Sequence, residues 1–180
     1  MRFFDAPLAR EESDALAARI RSNFAERGFG LWAIDVPTLE PRGRSSGDLR
    51  FAGFVGLAVV TFEAPFNERR SPALEIGWRL RREAWGHGYA SEGAVRVLDH
   101  AFGALQRDEV VSFTALDNTP SIRVMERIGL ERAMEFEHPR LPDGHPLRRH
   151  VLYRVTAERW KALRGPGSTP QGQGPGAGGG

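Results

Sequence analysis

One stretch near the middle of the chain limits its fold more than any other: Trp85-Gly86-His87-Gly88-Tyr89-Ala90-Ser91-Glu92-Gly93. The strand-like run EIGWRL stands before it. After it, Ala90, Ala94, Val97, Leu98, Ala101, Phe102 and Leu105 form one apolar stripe at helical spacing. A glycine turn leading straight from strand to helix leaves backbone N–H groups unpaired, and the helix dipole adds partial positive charge there. Glycine also permits close approach and unusual φ angles. Together these make a phosphate site. Spacing removes two nucleotide loops. A P-loop needs a Gly-Lys-Ser/Thr ending, and a Rossmann loop needs Gly or Ala where Ser91 stands and should open the first βαβ unit.

The remaining elements follow from periodicity and turn chemistry. Leu16, Ile20 and Phe24 predict a helix over residues 11–27, stopped by Gly28. Residues 29–36 read as a strand that is apolar on both faces and therefore interior. In the strand over residues 49–62, Gly53 and Gly56 mark a bulge or a close backbone approach. A short strand over 73–81 precedes the glycine turn, and the helix after it runs over 89–105. A strand over 109–116 and a short helix over 118–128, ended by Gly129, come next. Two closing strands over 130–138 and 148–156 flank a PDGHP turn, and AERWKAL is a last helical piece. Strands and helices mix without strict alternation, which predicts an α/β or α+β fold with a mixed sheet.

From Gly165 the chain reads GPGSTPQGQGPGAGGG. It cannot bury enough surface to offset its ordering entropy, so residues 165–180 are predicted to be a disordered tail behind one domain at 1–164. The chain has no cysteine, which excludes disulfides, thiolate nucleophiles and cysteine-based zinc sites. A net charge of only +2, with acids interleaved among bases, gives no basic face for nucleic acid. No apolar run is long enough to span a membrane, and acidic residues interrupt the start before any secretory signal could form. A cytoplasmic location is the default expectation.

The glycine turn has a downstream companion in DNTPSIRVMERIGL. The two windows, in this order and separation, resemble the GNAT superfamily of acyl-CoA N-acyltransferases. The likeness is to the branch similar to ribosomal-protein-alanine acetyltransferases, and it runs from about Leu16 to Tyr153. That resemblance implies a mixed, mostly antiparallel central sheet flanked by helices. In the superfamily, a Gln/Arg-x-x-Gly-x-Gly/Ala loop holds the coenzyme A pyrophosphate through backbone N–H groups. Here the matching loop spans Trp85, Gly86, His87, Gly88, Tyr89 and Ala90, with Ser91 assisting. Trp85 departs from Gln/Arg, but this branch commonly reads WGxGYAxE. The strand before the loop is expected to contact the pantetheine through the backbone of Gly77, Trp78, Arg79 and Leu80, and Asn118 and Ser121 to lie along the coenzyme.

The implied reaction is acetyl transfer from acetyl-CoA to a primary amine, by direct attack in a ternary complex and without a metal. The amine belongs to a protein N-terminus or a small molecule. Glu75 is the first candidate base, facing the acceptor side, and His138 is its rival or an acceptor contact. Many relatives place a general-acid tyrosine where this chain has Met125; Ser121, one helical turn earlier, is the substitute candidate. Trp32 and Phe66 are expected to line the acceptor pocket. A zinc site among His138, His145 and His150 lacks tight ligand spacing. A homodimer is common among relatives. Met1-Arg2-Phe3-Phe4 resembles the end of a phrase that follows a first strand and helix in this branch, so both elements are expected to be missing. The rival reading is a non-catalytic acyl-CoA sensor or interaction domain.

Overall fold

The computed structural model describes residues 9–37, 50–67 and 72–165. The expected tail beyond Gly165 and the Met1–Phe4 phrase lie outside the described residues. Helix α1 (Arg10–Arg27) starts where Glu12 Oε2 accepts from the Ala9 backbone N–H at 2.8 Å. It ends on Gly28, at φ 74°, the left-handed stop that glycine accepts without strain. There follow β1 (Leu31–Asp35), β2 (Phe51–Val59) and β3 (Leu74–Leu80), then α2 (Tyr89–Gly103), β4 (Glu109–Ala115) and α3 (Thr119–Arg127). Strands β5 (Glu131–Glu137) and β6 (Arg149–Thr156) and helix α4 (Ala157–Leu163) complete the described order.

The six strands form one sheet in the order β1-β2-β3-β4-β6-β5. Every neighbouring pair is antiparallel except β3 and β4. This is the mixed sheet that the element order predicts, mostly antiparallel as the resemblance implies. One expectation is corrected. Among the described residues β1 is an edge strand, not an interior one, and its Leu31, Trp32 and Ile34 are only half-buried. Apolar character misled because, on the face that Trp32 presents, it reports contact with α1 and α2 rather than a second neighbouring strand. Trp32, for instance, meets Phe24 of α1 and His100 of α2 edge-on, at 5.0 and 5.5 Å between ring centroids.

Side-chain alternation along the strands divides the interior in two. On one face, Val55, Ile76, Val110, Val151 and Tyr153 pack against Ala94, Val97, Leu98 and Ala101 of α2, with Met125 of α3 and Trp160 of α4. Leu98 is fully buried and contributes about 2 kcal/mol by area. Helix α2 lies close to the sheet because Gly93 has no Cβ; one there would stand 2.8 Å from Val55 Cγ1. On the opposite face, Val60, Val111, Phe136 and Leu152 join Phe62, Phe66 and Phe113 in an aromatic cluster. The close approaches expected in β2 are real. A Cβ on Gly53 would fall 2.1 Å from the Arg79 carbonyl oxygen, and one on Gly56 would fall 2.0 Å from that of Gly30.

Candidate active site

The site begins where the sheet splits. Strand β3 is registered with β2 along its whole length, Leu74 to Leu80, but with β4 only at Glu75–Val111. Beyond that pair the two strands part, so from Gly77 to Arg79 the β4 side of β3 carries no ladder. The glycine turn closes the end of this opening. Gly86 and Gly88 hold φ of 81° and 84°, and a Cβ on either would meet nothing within 4 Å. Gly88 is the N-cap of α2 and makes no side-chain cap bond, so the first N–H groups of the helix face outward at its positive end. The loop backbone is therefore open to an anion.

Trp85 is half exposed, and its indole Nε1–H donates to the Leu80 carbonyl at 2.9 Å. This bond ties the start of the loop to the end of β3. It explains why tryptophan serves here, and it engages a carbonyl that was expected to face the coenzyme. Trp78, Arg79, Leu80, Trp85, Gly86, Gly88, Tyr89, Ala90 and Ser91 all line one cleft of about 320 Å³. His87 does not; it is exposed and stacks on Tyr89, with ring centroids 5.5 Å apart. The far wall is α3, which contributes Asn118, Ser121, Arg123 and Arg127. Asn118 caps that helix, accepting from the Ser121 backbone N–H at 3.4 Å and donating to Thr114 Oγ1 at 2.8 Å.

Trp78, Asn118 and Ser121 are also walls of a second cleft, of about 380 Å³, so the two clefts adjoin at these residues. Glu75, Gly77, Met125, His138, Arg140 and His150 line it. The three residues singled out for catalysis, Glu75, Ser121 and His138, thus share one space. Phe66 stands behind the wall, against Phe113 at 5.8 Å between centroids. Trp32 is elsewhere, in a cavity of about 600 Å³ between β1 and α2 that none of Glu75, Ser121 and His138 lines. Residues missed from sequence are Arg123, Arg127 and Arg140. The i, i+4 arginines of SIRVMER signalled a basic helix face, whereas nothing local marked Arg140.

Burial in the cleft raises the Glu75 pKa from 4.5 to about 8, an effect that Arg140 opposes by favouring the carboxylate. His138 moves the other way, from 6.5 down to about 4, through burial and then the nearby His150 and Arg140 charges. Its ring lies 4.7 Å from that of Phe62 and 4.8 Å from that of His150, and its Nδ1 accepts from the Arg140 backbone N–H at 3.3 Å. Among the described residues no three His, Cys, Asp or Glu side chains group in a way that could hold a metal ion, and no helix is long and apolar enough to cross a membrane.

This split sheet with a glycine cradle can be set beside known proteins. The profile of the acetyltransferase (GNAT) domain matches residues 1–131. The chain belongs to the GNAT family. Among curated relatives, the GNAT chain is similar to the FsC-acetyl coenzyme A-N(2)-transacetylase of Aspergillus fumigatus, at 32% identity over 149 residues, covering 79% of the chain and 56% of the relative. It is similar also to the uncharacterized N-acetyltransferase YnaD of Bacillus subtilis, at 31% over 101 residues, covering 56% and 57%. The chain thus spans about half the length of these curated relatives. Two solved GNAT-like structures share the fold. One is an acetyltransferase from Agrobacterium tumefaciens, with TM-score 0.58 and 25% identity, covering 86% of this chain and 76% of that one. The other is the ribosomal-protein-S5-alanine acetyltransferase of Vibrio fischeri, with TM-score 0.63 and 16% identity, covering 88% and 80%.

Proposed function

We propose that the chain is an acetyl-CoA-dependent N-acetyltransferase that acetylates a primary amine by direct attack in a ternary complex. One observation carries this reading: the cleft at Gly86 and Gly88 shares the walls Trp78, Asn118 and Ser121 with the cleft that Glu75 lines. The loop amides and the arginines of α3 suit the coenzyme phosphates. The unladdered backbone of Gly77, Trp78 and Arg79 suits the pantetheine amides. When bound, acetyl-CoA supplies the thioester that the amine attacks.

Amines arrive mostly as ammonium ions, so a base must take a proton before attack. Glu75 suits that task better than His138. A conjugate acid near pH 8 matches proton removal from an amine, whereas one near pH 4 does not. His138 Nδ1 already accepts a hydrogen bond, so the neutral ring carries its proton on Nε2 and has no free lone pair. His138 then shapes the acceptor space instead of deprotonating its occupant. Ser121 lines both clefts, which suits it to the role of donor to the leaving thiolate.

The test is calorimetric titration with acetyl-CoA, followed by thiol release with a panel of primary amines. Saturable one-to-one binding and amine-dependent thiol release are expected. A folded protein that fails to bind acetyl-CoA would overturn the reading. Binding without release from any amine would mark a domain that holds the coenzyme without using it.

A further inference from the structure

The acceptor cleft carries a cation that forms no direct ion pair among the described residues. Arg148 is matched by Glu137 at 2.9 Å and Asp143 at 2.6 Å, and Arg149 by Glu135 at 2.9 Å. Arg140 lines the cleft, yet none of the ion pairs formed among the described residues involves it. Its guanidinium is nonetheless held in place. It donates to the Thr61 hydroxyl and lies over the Phe62 ring, 5.5 Å from the centroid. The guanidinium fork offers five donors, so most remain available to a planar two-oxygen acceptor.

The other groups around this cation decide what it can meet. Among the described residues Glu75 is the only acidic side chain in the cleft wall, and it holds its proton well above the usual carboxylate range. His138 and His150 are both shifted toward the neutral form. The described residues of the cleft wall are therefore positive on balance near neutral pH. Phe113, Leu141, Leu147 and Met125 give the wall apolar and aromatic surface for a side chain, and Ser112, Thr114, Asn118 and Ser121 add uncharged polar groups. A polyamine would bring several positive charges into this space with at most one carboxylate to meet them, and like charges there disfavour it.

We propose that the acceptor is a small apolar α-amino acid or a close analogue, whose carboxylate pairs with Arg140 while its amine lies toward Glu75. This deepens the N-acetyltransferase reading and rests on it. Arg140 is then the specificity-determining residue. It acts on binding, by favouring an acceptor with a carboxylate beside its amine over the same molecule without one.

The experiment compares matched acceptors on the full chain: leucine and phenylalanine, their amides, the decarboxylated amines, spermidine, and a short peptide with an amidated C-terminus. Thiol release gives kcat/KM, and calorimetry on the protein saturated with coenzyme A gives acceptor affinity independently of turnover. A charge-assisted forked pair predicts that the free amino acid exceeds its amide by about 10- to 100-fold in kcat/KM, mostly through KM. In Arg140→Gln that ratio should fall to about 1, and Arg140→Lys, which keeps charge but loses the fork, should fall between. Arg140 is exposed, so its replacement leaves the core intact, and retained acetyl-CoA binding checks this. Equal or better use of the amide, spermidine or the peptide would overturn the proposal, as would a ratio that Arg140→Gln leaves unchanged. If acetyl-CoA binds and nothing turns over, the transfer reading fails by itself, and the acceptor titration alone still upholds or overturns the carboxylate preference.

Discussion

Glu75 holds the sharpest prediction at the scale of one residue. Alternation along β3 turns Leu74 and Ile76 toward the α2 side of the sheet and Glu75 toward the other, beside Arg140 and the histidines. Its pKa is raised from 4.5 to about 8 by burial, so at neutral pH most of the population is protonated. A base must first lose that proton. The expected outcome is that kcat/KM rises with pH and levels off above about 8. Glu75→Gln should lower it about 10²- to 10⁴-fold and remove the rise. Stability should show the opposite trend. A folded-state pKa above the unfolded one favours folding fully below pH 4.5, and that benefit is lost as pH rises through about 8. Urea unfolding of wild type and Glu75→Gln should therefore diverge between these pH values, with the glutamine variant the more stable at pH 9. A wild-type rate that is flat from pH 6 to 9 would exclude Glu75 as the base.

At the scale of elements, α3 shows what the sequence could and could not reveal. Its helical pattern and its Gly129 stop were readable, because each depends on neighbours within a turn or two, whereas Asn118, expected inside the helix, is instead its cap. The glycine loop was readable for the same reason, with Gly88 capping α2 as the spacing required. The edge position of β1 was not, since pairing partners are a property of the sheet rather than of the strand. Arg140 was missed on similar grounds: it joins Glu75 only through the fold, 65 positions apart in the chain. Arg123 and Arg127 are an intermediate case, legible as a basic face but not as facing a cleft. Their placement opposite the glycine cradle predicts a test. Arg123→Ala with Arg127→Ala should weaken acetyl-CoA binding by about 10-fold or more, and the loss should shrink at high salt. Calorimetry at two ionic strengths checks this. A double variant that binds like wild type would show that the loop amides suffice for the phosphates.

At the scale of the whole molecule, the sheet separates two tasks. The α2 face holds the large apolar core and the docking of the last helix, whereas the opposite face holds the aromatic cluster and the proposed base Glu75. Asp99 of α2 is the clearest example of the first task. Its Oδ1 accepts from the Trp160 indole N–H at 3.1 Å, and its Oδ2 from Arg164 at 3.0 Å. Trp160 itself is buried against Phe102, so α4 is fixed by packing and by these bonds together. None of Asp99, Trp160 and Arg164 lines either half of the cleft. Asp99→Ala should therefore cost about 1–3 kcal/mol of stability, because it leaves the indole N–H unpaired in a part-buried place. The affinity for acetyl-CoA should stay within about twofold, since the loop and α3 are set by Gly88, Asn118 and their own ladders. Urea unfolding and calorimetry on the same preparation measure the two quantities side by side. If affinity falls in step with stability, the cradle depends on how α4 clamps α2, and the separation of the two faces does not hold.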